Sequence, residues 1–264
     1  MLAYDVIAGS DPQPGRVAFL LHGILGSARN WRAFGRALAA AAPTWRFVAV
    51  DLRHHGDSHG MAGPDTLQAC AEDLRAVGEA IGGPRAIFGH SFGGKVALAA
   101  VGTLETLRCV GVLDAVPTPV AEGDVGADVL PVLQAVERIP VPVPGHDVVR
   151  EALLAEGLSP MVAGWMTTNL VRGEHGLVWR FDLTRIRGML QAYASTDLVP
   201  ALHDPRCRVR ILRAGRSDRW TPAALAAVAG VEVTVLEDAG HWVHVDAPEA
   251  TLRWILAGLG ACGG

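Results

Sequence analysis

The chain has 264 residues, of which 50% are hydrophobic, and its formal net charge at pH 7 is −4. This length and apolar content suit a single α/β domain, whose core needs neither disulfides nor metal for its stability. The small negative charge gives no electrostatic reason to expect nucleic acid or an anionic membrane as a partner.

The cysteines and the N-terminal residues bear on the cellular compartment. No two cysteines form a Cys-x-x-Cys pair or have the spacing of zinc ligands, so we expect unpaired thiols in a reducing compartment. The first residues show no signal-peptide pattern, and no apolar run approaches the roughly 20 residues of a membrane span. These observations predict a cytoplasmic protein. The four cysteines are Cys70, Cys109, Cys207 and Cys262.

In the first part of the chain, short apolar runs typical of strands alternate with longer helical patterns. Such alternation predicts a mostly parallel sheet with helices on both faces. Pro43 ends the first predicted helix, because proline cannot continue the hydrogen-bond ladder. The predicted strands are residues 17–21, 46–51, 85–88 and 109–116, and the predicted helices are residues 31–42, 65–81 and 94–100.

The alternation stops between Pro117 and about Leu202 and then resumes. The interrupting stretch is rich in proline, with helical patterns at residues 148–155, 161–170 and 183–194. An insertion at this point would lie over the carboxyl ends of the strands, where open α/β sheets bind ligands. We therefore expect a core of residues 1–116 and 203–264 and a helical lid of residues 117–202. Beyond the lid, the predicted strands are residues 208–214 and 232–236, and the last helix is residues 247–259.

A serine lies between the strand that ends near Phe88 and the helix that follows it. The sequence there is Gly89-His90-Ser91-Phe92-Gly93, a match to the Gly-x-Ser-x-Gly nucleophile elbow. In this turn the serine adopts a strained backbone conformation, and the flanking glycines remove side chains that would collide. The N-terminus of the next helix directs free N–H groups toward the reacting centre. The motif predicts that Ser91 is a nucleophile.

A serine hydroxyl needs a base within hydrogen-bond reach, and the base needs an acid that orients it. His241 follows the last predicted strand and is our candidate for the base, while His244 is less well placed. Two aspartates could be the acid. Asp218 lies in a turn after the penultimate strand, and Asp114 ends the strand that follows the elbow helix. Position alone slightly favours Asp218 and leaves both open.

Acyl transfer also needs donors for the oxyanion and a pocket for the acyl group. The N–H of Phe92 is one candidate donor, and the N–H of Ile24, with Leu25 as the alternative, is the second, from the glycine-containing loop after the first predicted strand. The histidine-rich run at residues 54–59 is not expected to bind metal, because adjacent histidines rarely share an ion. Aromatic side chains near these loops could form the pocket wall: Trp31, Trp165, Trp220 and Trp242.

Together these motifs resemble the α/β-hydrolase superfamily over nearly the whole chain. More narrowly, the chain is similar to small bacterial esterases and acyl-CoA thioesterases that are related to mitochondrial abhydrolase-type serine hydrolases. In that branch a strand-end aspartate such as Asp114 is regular, whereas the general fold favours a turn such as that of Asp218. The matching stretches are residues 22–31, 51–58, 89–96, 168–171, 178–181 and 240–244.

The resemblance implies an α/β-hydrolase fold and a Ser-His-Asp hydrolase of small carboxylic esters or thioesters that needs no cofactor. The same triad could instead serve C–C bond hydrolysis, a lyase reaction or perhydrolase (haloperoxidase) chemistry, because fold and motif do not separate these reactions. A third possibility is a ligand-sensing homologue with very slow turnover. The sequence does not indicate the oligomeric state.

Overall fold

A computed structural model describes residues 1–11, 15–121 and 129–262. Within these ranges seven strands form the main sheet in the order β1-β3-β2-β4-β5-β8-β9, and β6 and β7 form a separate hairpin. Only β1 is antiparallel to its neighbour in the main sheet. The strands are β1 Tyr4–Ala8, β2 Arg16–Leu21, β3 Trp45–Val50, β4 Ala86–His90, β5 Cys109–Leu113, β6 Leu170–Gly173, β7 Gly176–Trp179, β8 Arg208–Ala214 and β9 Glu232–Leu236.

Helices cover both faces of this sheet, as the sequence predicts. Leu38 and Ile255 belong to the buried cluster on one face, and Leu74 and Val96 belong to the cluster on the other. The helices are α1 Arg32–Ala41, α2 Leu67–Ile81, α3 Phe92–Ala99, α4 Val129–Glu137, α5 His146–Ala155, α6 Pro160–Thr167, α7 Leu183–Ser195, α8 Pro222–Ala227, α9 Val243–Asp246 and α10 Pro248–Ala261.

The central strands are apolar throughout because each of their faces is covered. In β2, Phe19 and Leu21 pack into the cluster that contains α2 and α3, whereas Ala18 and Leu20 pack into the cluster that contains α1 and α10. Successive side chains of a strand point to opposite faces, so a strand covered on both sides reads as a continuous apolar run. This is the pattern from which the sheet was predicted.

The segment between β5 and β8 is less helical than predicted. The helix expected over residues 161–170 ends at Thr167, and β6 begins three residues later at Leu170. The β6–β7 hairpin was not predicted, and neither was α4. Residues 122–128 lie outside the described ranges.

Two cysteines correct the expectation of four unpaired thiols. Cys109 at the start of β5 and Cys262 just after α10 form a disulfide, although 153 residues separate them in the sequence. Cys70 and Cys207 are free and buried. The pair was not predictable from local spacing because only the packing of α10 against the sheet brings the two residues together.

In the described residues, no helix is long and apolar enough to span a membrane.

Candidate active site

Ser91 occupies the turn between β4 and α3. Its backbone has φ 52° and ψ −116°, a conformation that L residues rarely adopt. A Cβ on Gly93 would lie 2.6 Å from the carbonyl oxygen of His22, and a Cβ on Gly89 would collide with the backbone of Gly93. The two glycines therefore allow α3 to approach the sheet closely enough to form this turn.

His241 lies in the loop between β9 and α9 and bonds to a buried carboxylate. Its Nδ1 is 2.7 Å from Oδ2 of Asp114, the residue that follows β5. The other oxygen, Oδ1, accepts hydrogen bonds from the Ala214 N–H at 3.0 Å and from Trp220 Nε1 at 2.8 Å. Because Nδ1 of His241 donates a hydrogen bond to Asp114, Nε2 is the unprotonated nitrogen of the neutral ring and can accept a proton from another group.

The hydrogen bonds at Asp114 decide its protonation state. Burial of the carboxyl group raises its pKa, but the hydrogen bonds from His241, Ala214 and Trp220 outweigh that effect and hold the pKa below the ordinary value. The side chain is 0% exposed. A carboxylate that remains ionised in this position orients the imidazole and stabilises its protonated form.

The structure brings Asp114, and not Asp218, to His241. The side chain of Asp218 is 65% exposed, and its carboxylate lies 3.8 Å from the guanidinium of Arg219. The turn after β8 thus directs Asp218 to solvent while Trp220, two residues later, reaches Asp114.

The loop after β2 passes directly beside the elbow. A Cβ on Gly23 would lie 3.4 Å from Ser91 Cβ. The N–H of Gly26 donates to the carbonyl oxygen of Gly23 at 3.0 Å, and within the described residues no hydrogen bond uses the N–H of Ile24. The N–H of Phe92 is also free of helical partners, because the first residues of a helix have none. Both predicted oxyanion donors therefore lie beside Ser91.

A cavity of about 300 Å³ opens above Ser91. Of the four tryptophans named from the sequence, Trp31, Trp165 and Trp242 line it. Trp220 does not, and its indole N–H donates to Asp114 instead. Helices α4 and α6 each contribute side chains to the cavity wall. The lining residues are His22, Gly23, Ile24, Leu25, Gly26, Asn30, Trp31, His90, Ser91, Val129, Val132, Met161, Val162, Trp165, His241, Trp242, His244 and Val245.

Other histidines surround His241, and burial keeps them uncharged. The ring of His244 stacks on Trp31 with centroids 4.8 Å apart, and burial lowers its pKa to about 4. His90 Nε2 donates to the carbonyl oxygen of His241 at 2.9 Å, and burial, with His241 and His244 nearby, lowers the pKa of His90 well below the ordinary value. A carbonyl oxygen can only accept, so His90 Nε2 carries the proton.

Two residues near the site were not assigned a role from the sequence. Lys95 in α3 is fully buried, and its Nζ donates to the carbonyl oxygens of Thr118 and Tyr193 at 2.8 and 2.6 Å. Lys95 is the single lysine of an arginine-rich chain and lies four residues after Ser91, and these two facts could have marked it as a residue of interest from the sequence. Asn169, which the sequence analysis includes only within the matching stretch of residues 168–171, bonds to the loop after β2.

No three His, Cys, Asp or Glu side chains in the described ranges are grouped so that they could hold a metal ion. In the histidine-rich run, His54 Nε2 bonds to Asp65 at 2.8 Å and His55 Nδ1 bonds to the carbonyl of Arg53 at 2.9 Å. These side chains support the loop between β3 and α2.

Comparison with known proteins places the chain in a family. The profile of the alpha/beta hydrolase family matches residues 18–254. The sn-1-specific diacylglycerol lipase ABHD11 of Mus musculus is 30% identical over 261 residues, covering 94% of this chain and 81% of that protein. Esterase YbfF of Escherichia coli (strain K12) is 26% identical, covering 89% of this chain and 90% of that protein. A solved structure, a marine microorganism esterase, shares the fold with a TM-score of 0.80 and 20% identity over 97% of this chain and 98% of that one. The chain belongs to the alpha/beta hydrolase family.

Proposed function

We propose that this protein hydrolyses carboxylic esters or thioesters through an acyl-enzyme on Ser91. One observation carries the proposal: Ser91, at the apex of the elbow, and His241, bonded to the buried Asp114, line the same cavity. This is the arrangement that a serine nucleophile requires, with a base at hand and an acid behind the base. Relatives named as an esterase and a diacylglycerol lipase support the same chemistry.

In the first half-reaction, Ser91 Oγ attacks the acyl carbon and His241 Nε2 accepts the hydroxyl proton. Asp114 holds the Nδ1–H of the imidazole and stabilises the imidazolium that forms. The tetrahedral intermediate collapses when His241 gives that proton to the leaving alcohol or thiol, which departs and leaves the acyl group on Ser91. Water then repeats the sequence on the acyl-enzyme, which releases the carboxylic acid and restores Ser91.

The oxyanion of each tetrahedral intermediate would be held by the N–H groups of Phe92 and Ile24. Phe92 begins α3, whose positive dipole end faces the developing charge. Ile24 comes from the loop beside Ser91. Donors that are fixed before the reaction stabilise the transition state without reorganisation, which makes this the largest single contribution in many acyl-transfer enzymes.

The cavity favours a small or medium uncharged acyl group. Its volume of about 300 Å³ lies at the lower end for small-molecule sites, and apolar and aromatic side chains form most of its wall. We include residues 117–202 in the proposal as a lid, since α4 and α6 of this segment form part of the cavity wall. Cytoplasmic localisation remains a prediction from the sequence.

The test is hydrolysis of p-nitrophenyl esters from acetate to palmitate, with Ser91→Ala measured in parallel. We expect turnover that depends on Ser91 and is greatest for short or medium chains. Turnover of the Ser91→Ala variant within a few-fold of the unsubstituted protein would refute the mechanism. If the folded protein hydrolyses none of these esters, C–C bond cleavage or ligand sensing becomes the better account.

A further inference from the structure

A side chain from the segment above the cavity bonds to the loop that carries the second oxyanion donor. Asn169, between α6 and β6, is buried, and its Nδ2 donates to the carbonyl oxygen of Leu25 at 2.9 Å. Its backbone is held as well, because its N–H donates to the Met166 carbonyl oxygen and its own carbonyl oxygen accepts from the Arg180 N–H. The amide of Asn169 is therefore a fixed donor aimed at this loop.

Leu25 needs such support because its backbone is strained. It has φ 60° in the turn that the Gly26 N–H closes on the Gly23 carbonyl. This is the third position of the turn, where positive φ usually requires glycine. A residue with a side chain persists in this conformation only where its surroundings hold it. The hydrogen bond from Asn169 and the burial of the Leu25 side chain provide that hold.

The hydrogen bond from Asn169 can affect the Ile24 N–H through two planar peptides. The C=O and N–H of a trans peptide point in opposite directions, so fixing one group fixes the other. Asn169 donates to the C=O of the Leu25–Gly26 peptide, whose N–H donates to the C=O of the Gly23–Ile24 peptide. The remaining end of that second peptide is the N–H of Ile24. His22 Nδ1 also bonds to the Gly23 carbonyl, at 2.8 Å. Hydrogen bonds in such a chain polarise one another.

We propose that Asn169 is a positioning residue for the oxyanion hole, acting through the Leu25 and Gly23 carbonyls to orient the Ile24 N–H toward the reacting oxygen. The inference rests on the proposed function, since it assigns Ile24 a part in that reaction. It also gives the lid segment a part in the chemical step, because Asn169 lies in that segment. Loss of the contact should weaken transition-state binding more than substrate binding.

The experiment compares Asn169→Asp and Asn169→Ala with Thr168→Ala on the best p-nitrophenyl ester. Aspartate preserves the shape of the side chain but places a carboxylate oxygen where the donor was, and alanine removes the donor without adding charge. Thr168 is the neighbouring residue, and its exposed side chain bonds to the Trp165 carbonyl instead of the loop. Thermal melting of each variant establishes that it is folded.

Both Asn169 variants should lower kcat roughly tenfold to a hundredfold, less than loss of a direct oxyanion donor, with KM nearly unchanged. The affinity for a trifluoromethyl ketone, which forms an anionic adduct with the serine, should fall in parallel. Thr168→Ala should match the unsubstituted protein. A kcat within twofold for both Asn169 variants, or a loss confined to KM, overturns the inference. Ser91→Ala in the same assay separates the two ideas, because activity without Ser91 refutes the proposed function itself.

Discussion

Neutral histidines are the main feature of this site at the scale of single residues. His22 is 2% exposed, donates from Nδ1 to the Gly23 carbonyl and accepts the Leu52 N–H at Nε2. A second proton would have to be placed on Nε2, where it would oppose the Leu52 N–H. Burial lowers the pKa of His22 to about 4 and that of His55 to about 3. The loop beside Ser91 is thus built on rings that must remain uncharged.

Because the pKa values of these histidines are lowered, we expect the folded protein to lose stability in mild acid. Between a folded-state pKa of about 4 and the ordinary 6.5, the unfolded chain binds a proton that the folded protein does not. The free energy of unfolding should therefore fall as the pH decreases from about 6.5 toward 4, by up to about 1.4 kcal/mol per pH unit for each buried ring. Urea unfolding at several pH values in this window measures the slope.

Two histidine variants provide the comparison for this slope. His244→Phe removes one partly buried titrating ring with a lowered pKa, so its slope should be shallower than that of the unsubstituted protein. His175→Asn removes a ring that is 77% exposed and should leave the slope as it was. An unfolding free energy that stays constant from pH 6.5 to 5 would show that the buried rings do not control acid stability.

At the scale of elements, the position of α3 sets the geometry of the elbow. A Cβ on Gly93 would lie 2.6 Å from the His22 carbonyl oxygen and 2.7 Å from that of Leu21, and neither backbone atom can move aside easily. Gly93→Ala should therefore lower both the melting temperature and the esterase activity, with a stability loss of about 1–3 kcal/mol, typical of overpacking.

Gly164→Ala is the matched substitution. Gly164 lies within α6, and a Cβ there would have no neighbour within 4 Å. Because alanine is the better helix former, this variant should be unchanged or more stable by up to about 1 kcal/mol. Calorimetry of both variants is the measurement, and a Gly93→Ala protein as stable as Gly164→Ala would argue against the close packing of α3.

Helix α3 also links the catalytic turn to the segment above it. Lys95 lies four residues after Ser91 and donates to carbonyls at Thr118 and Tyr193, with its Nζ 4.5 Å from the Tyr193 ring centroid. Burial lowers the pKa of Lys95 to about 8, although Asp197 opposes the shift. The same helix therefore positions the serine and bonds near both ends of the segment between β5 and β8.

The elements that sequence reasoning missed have physical explanations. β1 is an edge strand whose side chains are partly buried or exposed, so it lacks the continuous apolar run of a covered strand. The strands of the β6–β7 hairpin have four residues each, too few to show an alternation. Helix α4 was not predicted, and its sequence contains Pro131; proline is tolerated in the first turn of a helix, which is its position in α4.

At the scale of the whole molecule, the site residues all lie at the edge of the sheet formed by the carboxyl ends of its strands. The candidate nucleophile follows β4, the candidate acid follows β5, the candidate base follows β9 and the loop of Ile24 follows β2. The carboxyl ends of parallel strands meet at one edge, so the elbow motif and the position of His241 after the last predicted strand predicted that both residues would lie there.

The acid was not predictable in the same way. Asp114 and Asp218 both follow strands at this edge, and the choice depends on how the loop after β8 folds. That loop directs the Trp220 indole to Asp114 and leaves Asp218 exposed. The role of Trp220 and the Cys109–Cys262 disulfide likewise depend on contacts between distant parts of the chain.

The most direct test of the account is kcat for Asp114→Asn and Asp218→Asn on the same ester. Asparagine cannot hold the imidazole in the required tautomer, so Asp114→Asn should lower kcat by roughly four orders of magnitude, as in other serine hydrolases with this arrangement. Asp218→Asn, at an exposed position, should remain within a few-fold of the unsubstituted protein. The reverse pattern, or equal activity of the two folded variants, would contradict the claim that Asp114 and His241 activate Ser91.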